Sequence, residues 1–177
     1  MIKKIVMDSL SIDKTLNRLS HEILERVSSF DKIILIGIHK RGVPLAARIR
    51  NKIKEISDKE LKTGALDITF HRDDYRERLT MPEVKGTEVP FNLDGQVVIL
   101  IDDVLYTGRT IRAALEELNS FGRAERVQLA VLVDRGHREL PIKADFVGKN
   151  IPTHEGEHVD VLLEEIDNED CVILLKE

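Results

Sequence analysis

Five consecutive apolar residues, "VVILI" (Val97–Ile101), run straight into two adjacent carboxylates, Asp102 and Asp103, and then into "VLYTGRT" (104–110). No other stretch restricts the fold as much. A short, β-branched apolar run is a strand buried on both faces, as in the middle of a parallel sheet. Two neighbouring charges cannot stay unpaired in such a core, so the strand must end there, at an open edge of the sheet. Thr107, Gly108, Arg109 and Thr110 supply a small-residue turn, and a helix follows from Thr110 to Phe121, with Gly122 at its end.

The rest of the chain repeats the alternation. "KIILIGI" (Lys32–Ile38), "ALDITF" (65–70) and "RVQLAVLV" (Arg126–Val133) read as strands. Val43–Ile56 reads as a helix with Pro44 in its first turn. A helix capped by Asp8 or Ser9 runs to about Ser28, with Ile12, Leu16, Leu19, Ile23 and Val27 on one face. Shorter strands are expected at Ala144–Val147, Val159–Leu163 and Cys171–Leu175. Strands alternating with helices predict one α/β domain over residues 1–177, with a mainly parallel central sheet flanked by helices. Residues 71–90 are polar and lack helical periodicity; a loop of that length in a compact domain is usually functional.

Composition narrows the class. Hydrophobic residues make up 42% of the chain, enough for a core, and the single Cys171 excludes an internal disulfide framework. No apolar run reaches the roughly 18–20 residues that a membrane helix needs, so a cytoplasmic protein is expected. The net charge is −5, but residues 154–170 carry eight acids and no Lys or Arg; without them the charge becomes +3. A local basic surface is therefore compatible with the acidic total.

The chemistry sits in 102–110. Ligands of open α/β sheets collect at the carboxyl ends of strands. Paired carboxylates there can accept hydrogen bonds from vicinal hydroxyls, or support Mg²⁺ through water. A small-residue turn at a helix N-terminus holds an anion. Vicinal hydroxyls beside a phosphate describe a ribose 5-phosphate.

This order of strand, paired acids and turn resembles the phosphoribosyl-diphosphate (PRPP) signature of the type I phosphoribosyltransferases. "DITFHRDD" (67–74), "DDVLYTGRT", "VLVDRGHRELPI" (131–142) and "ADFVGKNIPT" (144–153) together are similar to the bifunctional pyrimidine-operon attenuation proteins and uracil phosphoribosyltransferases. The resemblance implies a type I phosphoribosyltransferase fold with a small hood and a flexible flap. It implies transfer of the phosphoribosyl group from PRPP to uracil, giving UMP and pyrophosphate, with Mg²⁺ as cofactor.

Carried over residue by residue, it gives Asp102, Asp103 and Arg41 catalytic roles. The two acids are also indirect metal contacts. Lys40, Arg41 and Gly42 form the pyrophosphate loop, with a cis peptide expected at Lys40–Arg41. Tyr106, Thr107, Gly108, Arg109 and Thr110 grip the 5-phosphate, and Val133 and Arg135 contact the base, largely through backbone groups. Arg72, Asp73, Asp74 and Arg76 belong to the flap. Purine-specific relatives commonly carry Asp just before the "TG" pair; Tyr106 stands there, which fits a pyrimidine.

The same resemblance implies binding of pyrimidine-operon mRNA, regulated by UMP or UTP, through Arg18, His21, His137, Arg138, Lys143 and Lys149. It also implies a homodimer or larger assembly. Residues 135–149 carry a local charge of +2, which agrees. Two narrower readings stay open: a salvage transferase with no RNA role, and a regulator that keeps the fold only as a nucleotide sensor. The complete acid pair and basic loop disfavour the second; the 135–149 segment disfavours the first.

Overall fold

The computed structural model describes residues 2–69 and 86–176. Two sheets form. The larger holds β2 (Ile33–Ile38), β3 (Lys62–Leu66), β4 (Val97–Leu105), β5 (Arg126–Asp134) and β6 (Phe146–Asn150), all parallel, in the order β3-β2-β4-β5-β6. The smaller, antiparallel sheet joins β1 (Ile2–Met7), β8 (Cys171–Lys176) and β7 (Glu157–Leu162) in the order β1-β8-β7, with the short helix α4 (Glu164–Asp167) between β7 and β8. This second sheet is the expected hood.

β2 and β4 are central because their runs are apolar on both faces, and every residue of β2 is buried. Ile33, Leu35, Ile99, Ile101, Ala130 and Leu132 face α1 (Ser9–Arg26) and α2 (Gly42–Ser57). Ile34, Ile36, Val98, Leu100, Leu129 and Val131 face α3 (Arg109–Leu118). The Asp8 carboxylate caps α1 by accepting from Ser11 N at 2.8 Å, as the sequence predicts. The α1 helix lies close to β6 because Gly148 has no side chain: a Cβ there would stand 2.8 Å from Thr15 Cγ2.

Several boundaries move. The second strand is Lys62–Leu66 rather than 65–70: its pairing with β2 ends at Ile38–Leu66, and the Asp67 carboxylate turns to accept from Thr69 N. β6 begins at Phe146, since the Asp145 carboxylate first bonds Leu129 N. Most consequential, β4 does not stop at Ile101 but continues to Leu105, so Asp102 and Asp103 lie inside it. The reason is asymmetric support. β2 accompanies β4 only to the pair Gly37–Ile101, whereas β5 pairs with it as far as Leu105–Asp134.

Candidate functional site

The carboxyl ends of β2, β4 and β5 bring three backbone segments together. The first is the loop after β2. The His39–Lys40 peptide is cis, one bond earlier than expected. Arg41 already has α-helical φ and ψ as the N-cap of α2, and His39 N still bonds Leu66 O at 2.9 Å, so the turn between sheet and helix falls between those residues. Gly42 then lies against β4. A Cβ on it would collide with the Ile101 carbonyl oxygen and stand 3.4 Å from Asp102 Cα. Gly37 needs the same freedom, since its Cβ would stand 2.6 Å from Val43 Cα. The loop and the acid pair are thus in backbone contact.

The second segment is the acid pair. Asp102 is buried and Asp103 half-buried. Asp102 accepts from Asp103 N at 2.9 Å and Asp103 accepts from Val104 N at 2.8 Å. These amides hold the carboxylates along the free flank of β4, where β2 no longer pairs.

The third is the turn 106–110. Gly108 is the N-cap of α3 with φ of 94°, a left-handed conformation that glycine adopts without strain. Arg109 N donates to Thr107 Oγ1 at 3.3 Å. The first-turn amides of α3 face the turn and favour an anion.

Other predicted residues fall in two groups. Val133 is fully buried in the core with a strand on either side, so its side chain is closed to any ligand. Arg135 is also buried. It bonds Glu157 O at 2.8 Å and Thr153 Oγ1 at 3.3 Å, and its guanidinium lies 3.9 Å from the Tyr106 ring centroid. Tyr106 therefore stacks on a cation with one face and remains 44% exposed. Arg72, Asp73, Asp74 and Arg76 lie outside the described residues. The two sides of that segment meet at Asp67, whose carboxylate accepts from Thr69 N at 2.9 Å and Gly86 N at 3.1 Å.

A family model described as the phosphoribosyl transferase domain matches residues 6–166. The bifunctional protein PyrR of Pelotomaculum thermopropionicum is 50% identical over 171 residues, covering 97% of this chain and 94% of the relative. That of Thermus aquaticus is 53% identical over 169 residues, covering 96% and 93%. The chain belongs to the PyrR family. A hypoxanthine phosphoribosyltransferase from Staphylococcus aureus shares the fold at a TM-score of 0.72 and 19% identity, covering 98% of this chain and 92% of that one.

In this PyrR-family chain, sequence reasoning missed several partnerships. Arg41 holds Asp167 of α4, with Nη2–Oδ1 at 2.9 Å and Nε–Oδ2 at 3.2 Å. Burial works to raise the Asp167 pKa, but the Leu163 amide and Arg41 outweigh it and keep the carboxyl below its ordinary range. About two turns along α2, Arg48 pairs with both Glu165 and Asp170, at 2.6 and 2.7 Å. Part of the acidic C-terminal segment therefore bolts the hood to α2.

Arg138, expected on the RNA face, turns inward. Its Nε bonds Ile142 O at 2.9 Å, its Nη1 bonds Tyr106 O at 2.8 Å, and its Nη2 pairs with Asp134. Glu139 N and Leu140 N donate to Thr107 O at 3.0 and 3.1 Å, and Glu139 pairs with Arg109 at 2.7 Å. Segment 134–142 thus forms a wall beside the turn 106–110. His137 bonds Thr153 O at 2.6 Å. Arg18 and His21 are exposed on α1; Arg18 reaches Gly148 O on β6, and Lys149 bonds Val6 O at 2.8 Å. The structure brings Arg18, His21 and Lys149 onto one flank, α1 with β6. Exposed Lys143 sits beside the start of that strand, and Arg138 lies apart from the flank, at the turn.

Among the described residues no helix is long and apolar enough to cross a membrane.

Proposed function

We propose that the chain transfers the phosphoribosyl group of PRPP to uracil, releasing pyrophosphate, and binds pyrimidine-operon mRNA in response to UMP or UTP. The observation that carries the catalytic half is the backbone contact of loop 39–42 with Asp102, beside an α3 N-terminus shaped by Gly108. The loop, the acid pair and the turn all follow the carboxyl ends of neighbouring strands, which supports one site for a 5-phosphorylated sugar diphosphate. The chemistry asks for positioning and charge neutralisation more than for covalent help. The C1–O bond to pyrophosphate breaks, the C1–N1 bond to uracil forms, and the N1 proton leaves.

Asp102 and Asp103 hold the ribose hydroxyls, and the turn 106–110 holds the 5-phosphate. Lys40 and the amides beside Gly42 meet pyrophosphate. Arg41 keeps guanidinium donors beyond those engaged with Asp167, since the fork has five. Tyr106, stacked on Arg135, borders the base with no carboxylate for a purine.

No cluster of three or more metal-ligating side chains exists among the described residues. The acid pair fits Mg²⁺ held mainly by PRPP oxygens and water, with Asp102 and Asp103 behind that water. The ion would neutralise the departing pyrophosphate. The RNA half is supported by PyrR-family membership and by the exposed cations of the α1–β6 flank. A cytoplasmic homodimer or larger assembly is part of the same reading.

The test is uracil-dependent pyrophosphate release from PRPP, with guanine as the control base. Wild type should accept uracil and reject guanine, and the double variant Asp102→Asn with Asp103→Asn should lose activity while unfolding at an unchanged midpoint. Activity retained by that variant, or equal kcat/KM for guanine, would overturn the site. Binding of pyrimidine-leader RNA, measured with and without UMP, tests the second half.

A further inference from the structure

We propose that Asp167, on the short hood helix α4, is a positioning residue for the transfer. It holds the Arg41 guanidinium in one orientation, so that the donors left over meet pyrophosphate already ordered. This rests on the transferase reading above, in which the loop 39–42 meets pyrophosphate. The contact is a side-on pair. Arg41 Nη2 lies 2.9 Å from Asp167 Oδ1 and 3.2 Å from Oδ2, and Nε lies 3.2 Å from Oδ2. A planar fork gripped by Nε and Nη2 has its plane and its direction fixed, and Nη1 is the end left to a ligand.

The pair has a fixed end and a loose one. Asp167 is the fixed end. Its Oδ2 accepts from Leu163 N at 2.9 Å, its own N donates to Leu163 O at 2.7 Å, and Leu163 is fully buried. The hood itself is held by other means. Val159, Val161 and Val172 pack in one core with Leu16 of α1 and Ile49 of α2, and Arg48 pairs with Glu165 and Asp170. The hood therefore does not depend on Arg41 for its attachment.

Arg41 is the loose end. Its backbone is fixed as the N-cap of α2, but its side chain is long and rich in rotamers, and the pair with Asp167 orders it. Lys40 beside it is exposed and can supply charge to the same anion. Direction comes only from an arginine whose fork is held.

Asp167 also brings a negative charge towards a polyanion, which opposes binding. Two observations make this the smaller effect. The Arg41 guanidinium stands between the carboxylate and a ligand on the Nη1 side, so its own charge offsets most of the repulsion. The two side chains are 26% and 19% exposed, so water and salt screen what is left. An arginine without the pair would have to give up its rotamers at the moment of binding, with nothing to offset the loss.

The experiment measures uracil-dependent pyrophosphate release by the full chain. PRPP and uracil are varied separately, and inorganic pyrophosphate is added as a product inhibitor. Asp167→Asn keeps an acceptor for Leu163 N and loses the charged grip on Arg41. It should raise KM for PRPP and the inhibition constant of pyrophosphate about tenfold each, the size of immobilising one long side chain on binding. KM for uracil should not change. Arg48→Gln loosens the hood through its other ion pairs and should leave KM for PRPP where it is. In an Arg41→Gln background Asp167→Asn should add nothing, because no guanidinium is left to aim. An unchanged or lower KM for PRPP in Asp167→Asn, an equal rise in Arg48→Gln, or a full further loss in the Arg41→Gln background would each overturn the role. Wild type that releases no pyrophosphate from PRPP and uracil would overturn the transferase reading and the positioning role with it, a separate result.

Discussion

The carboxyl end of the large sheet and the α1–β6 flank are built by different means. At the carboxyl end, backbone meets backbone. Gly42 touches Ile101, Gly37 touches Gly42, and Gly108 turns where only a left-handed residue fits. On the flank, Arg18, His21 and Lys149 project from elements already fixed by their buried faces. Sterics therefore restrict the first region almost residue by residue. The second is held only by side-chain bonds such as Arg18 to Gly148 O and Lys149 to Val6 O. Geometry at the carboxyl end resists substitution more than the flank, where a lost side chain costs a surface hydrogen bond rather than a backbone clash.

The hardest test of that contrast is Gly42→Ala. The new methyl must push β4 and α2 apart beside Asp102. We expect about 3 kcal/mol of lost stability and a fall of about 100-fold in kcat/KM, read by urea unfolding and pyrophosphate release. A mild effect would mean that the close approach is dispensable.

Arg138 sharpens the comparison, because it belongs to the first region by structure and to the second by sequence. Arg138→Gln removes charged hydrogen bonds to Tyr106 O, Ile142 O and Asp134, costing about 1–3 kcal/mol, and should raise KM for PRPP a few-fold. Arg18→Gln with His21→Gln should leave KM alone. It should weaken RNA binding and flatten its salt dependence by roughly 0.7–0.9 log units for each phosphate the variant no longer neutralises. If Arg138→Gln left KM unchanged, the division drawn between the regions would be misplaced.

The smallest effect concerns acid. The Arg48 guanidinium lowers the Glu165 pKa. At Asp170 burial works to raise the pKa, but Arg48 and the Glu164 amide outweigh it. Folded values below the ordinary 4.5 and 3.8 mean stability that is present at neutral pH and is lost as pH falls through the folded values. Water reaches all three side chains, so the loss should stay under about 1 kcal/mol. Arg48→Gln should flatten stability against pH below about 4.5; an unchanged slope would assign the acid response elsewhere.

The same contrast explains what was legible. β2, β4 and β5 are readable because burial on both faces leaves an unbroken apolar run. The turn at 106–110 is readable because its order of residue types has one economical geometry. β1 is not, since "IKKIVM" carries two exposed lysines and its partner β8 lies at the other end of the sequence. Arg138 reads as a surface charge among surface charges, because its main acceptors are carbonyl oxygens, which every residue has. Asp167 is hidden in an acidic run in which only the fold distinguishes one carboxylate from the next.

The hood also sets a schedule. Ile5 pairs with Ile173, a partner roughly 170 residues later, and such distant contacts form late. Arg41, early in the chain, meets Asp167 near its far end. During synthesis the five parallel strands can assemble while β1 still waits beside them as a bare edge. The loop that carries Arg41 acquires its tether to Asp167 only when the hood is in place. A growing chain can thus be nearly folded and still lack a finished site, and every molecule passes through that exposed interval before it can work.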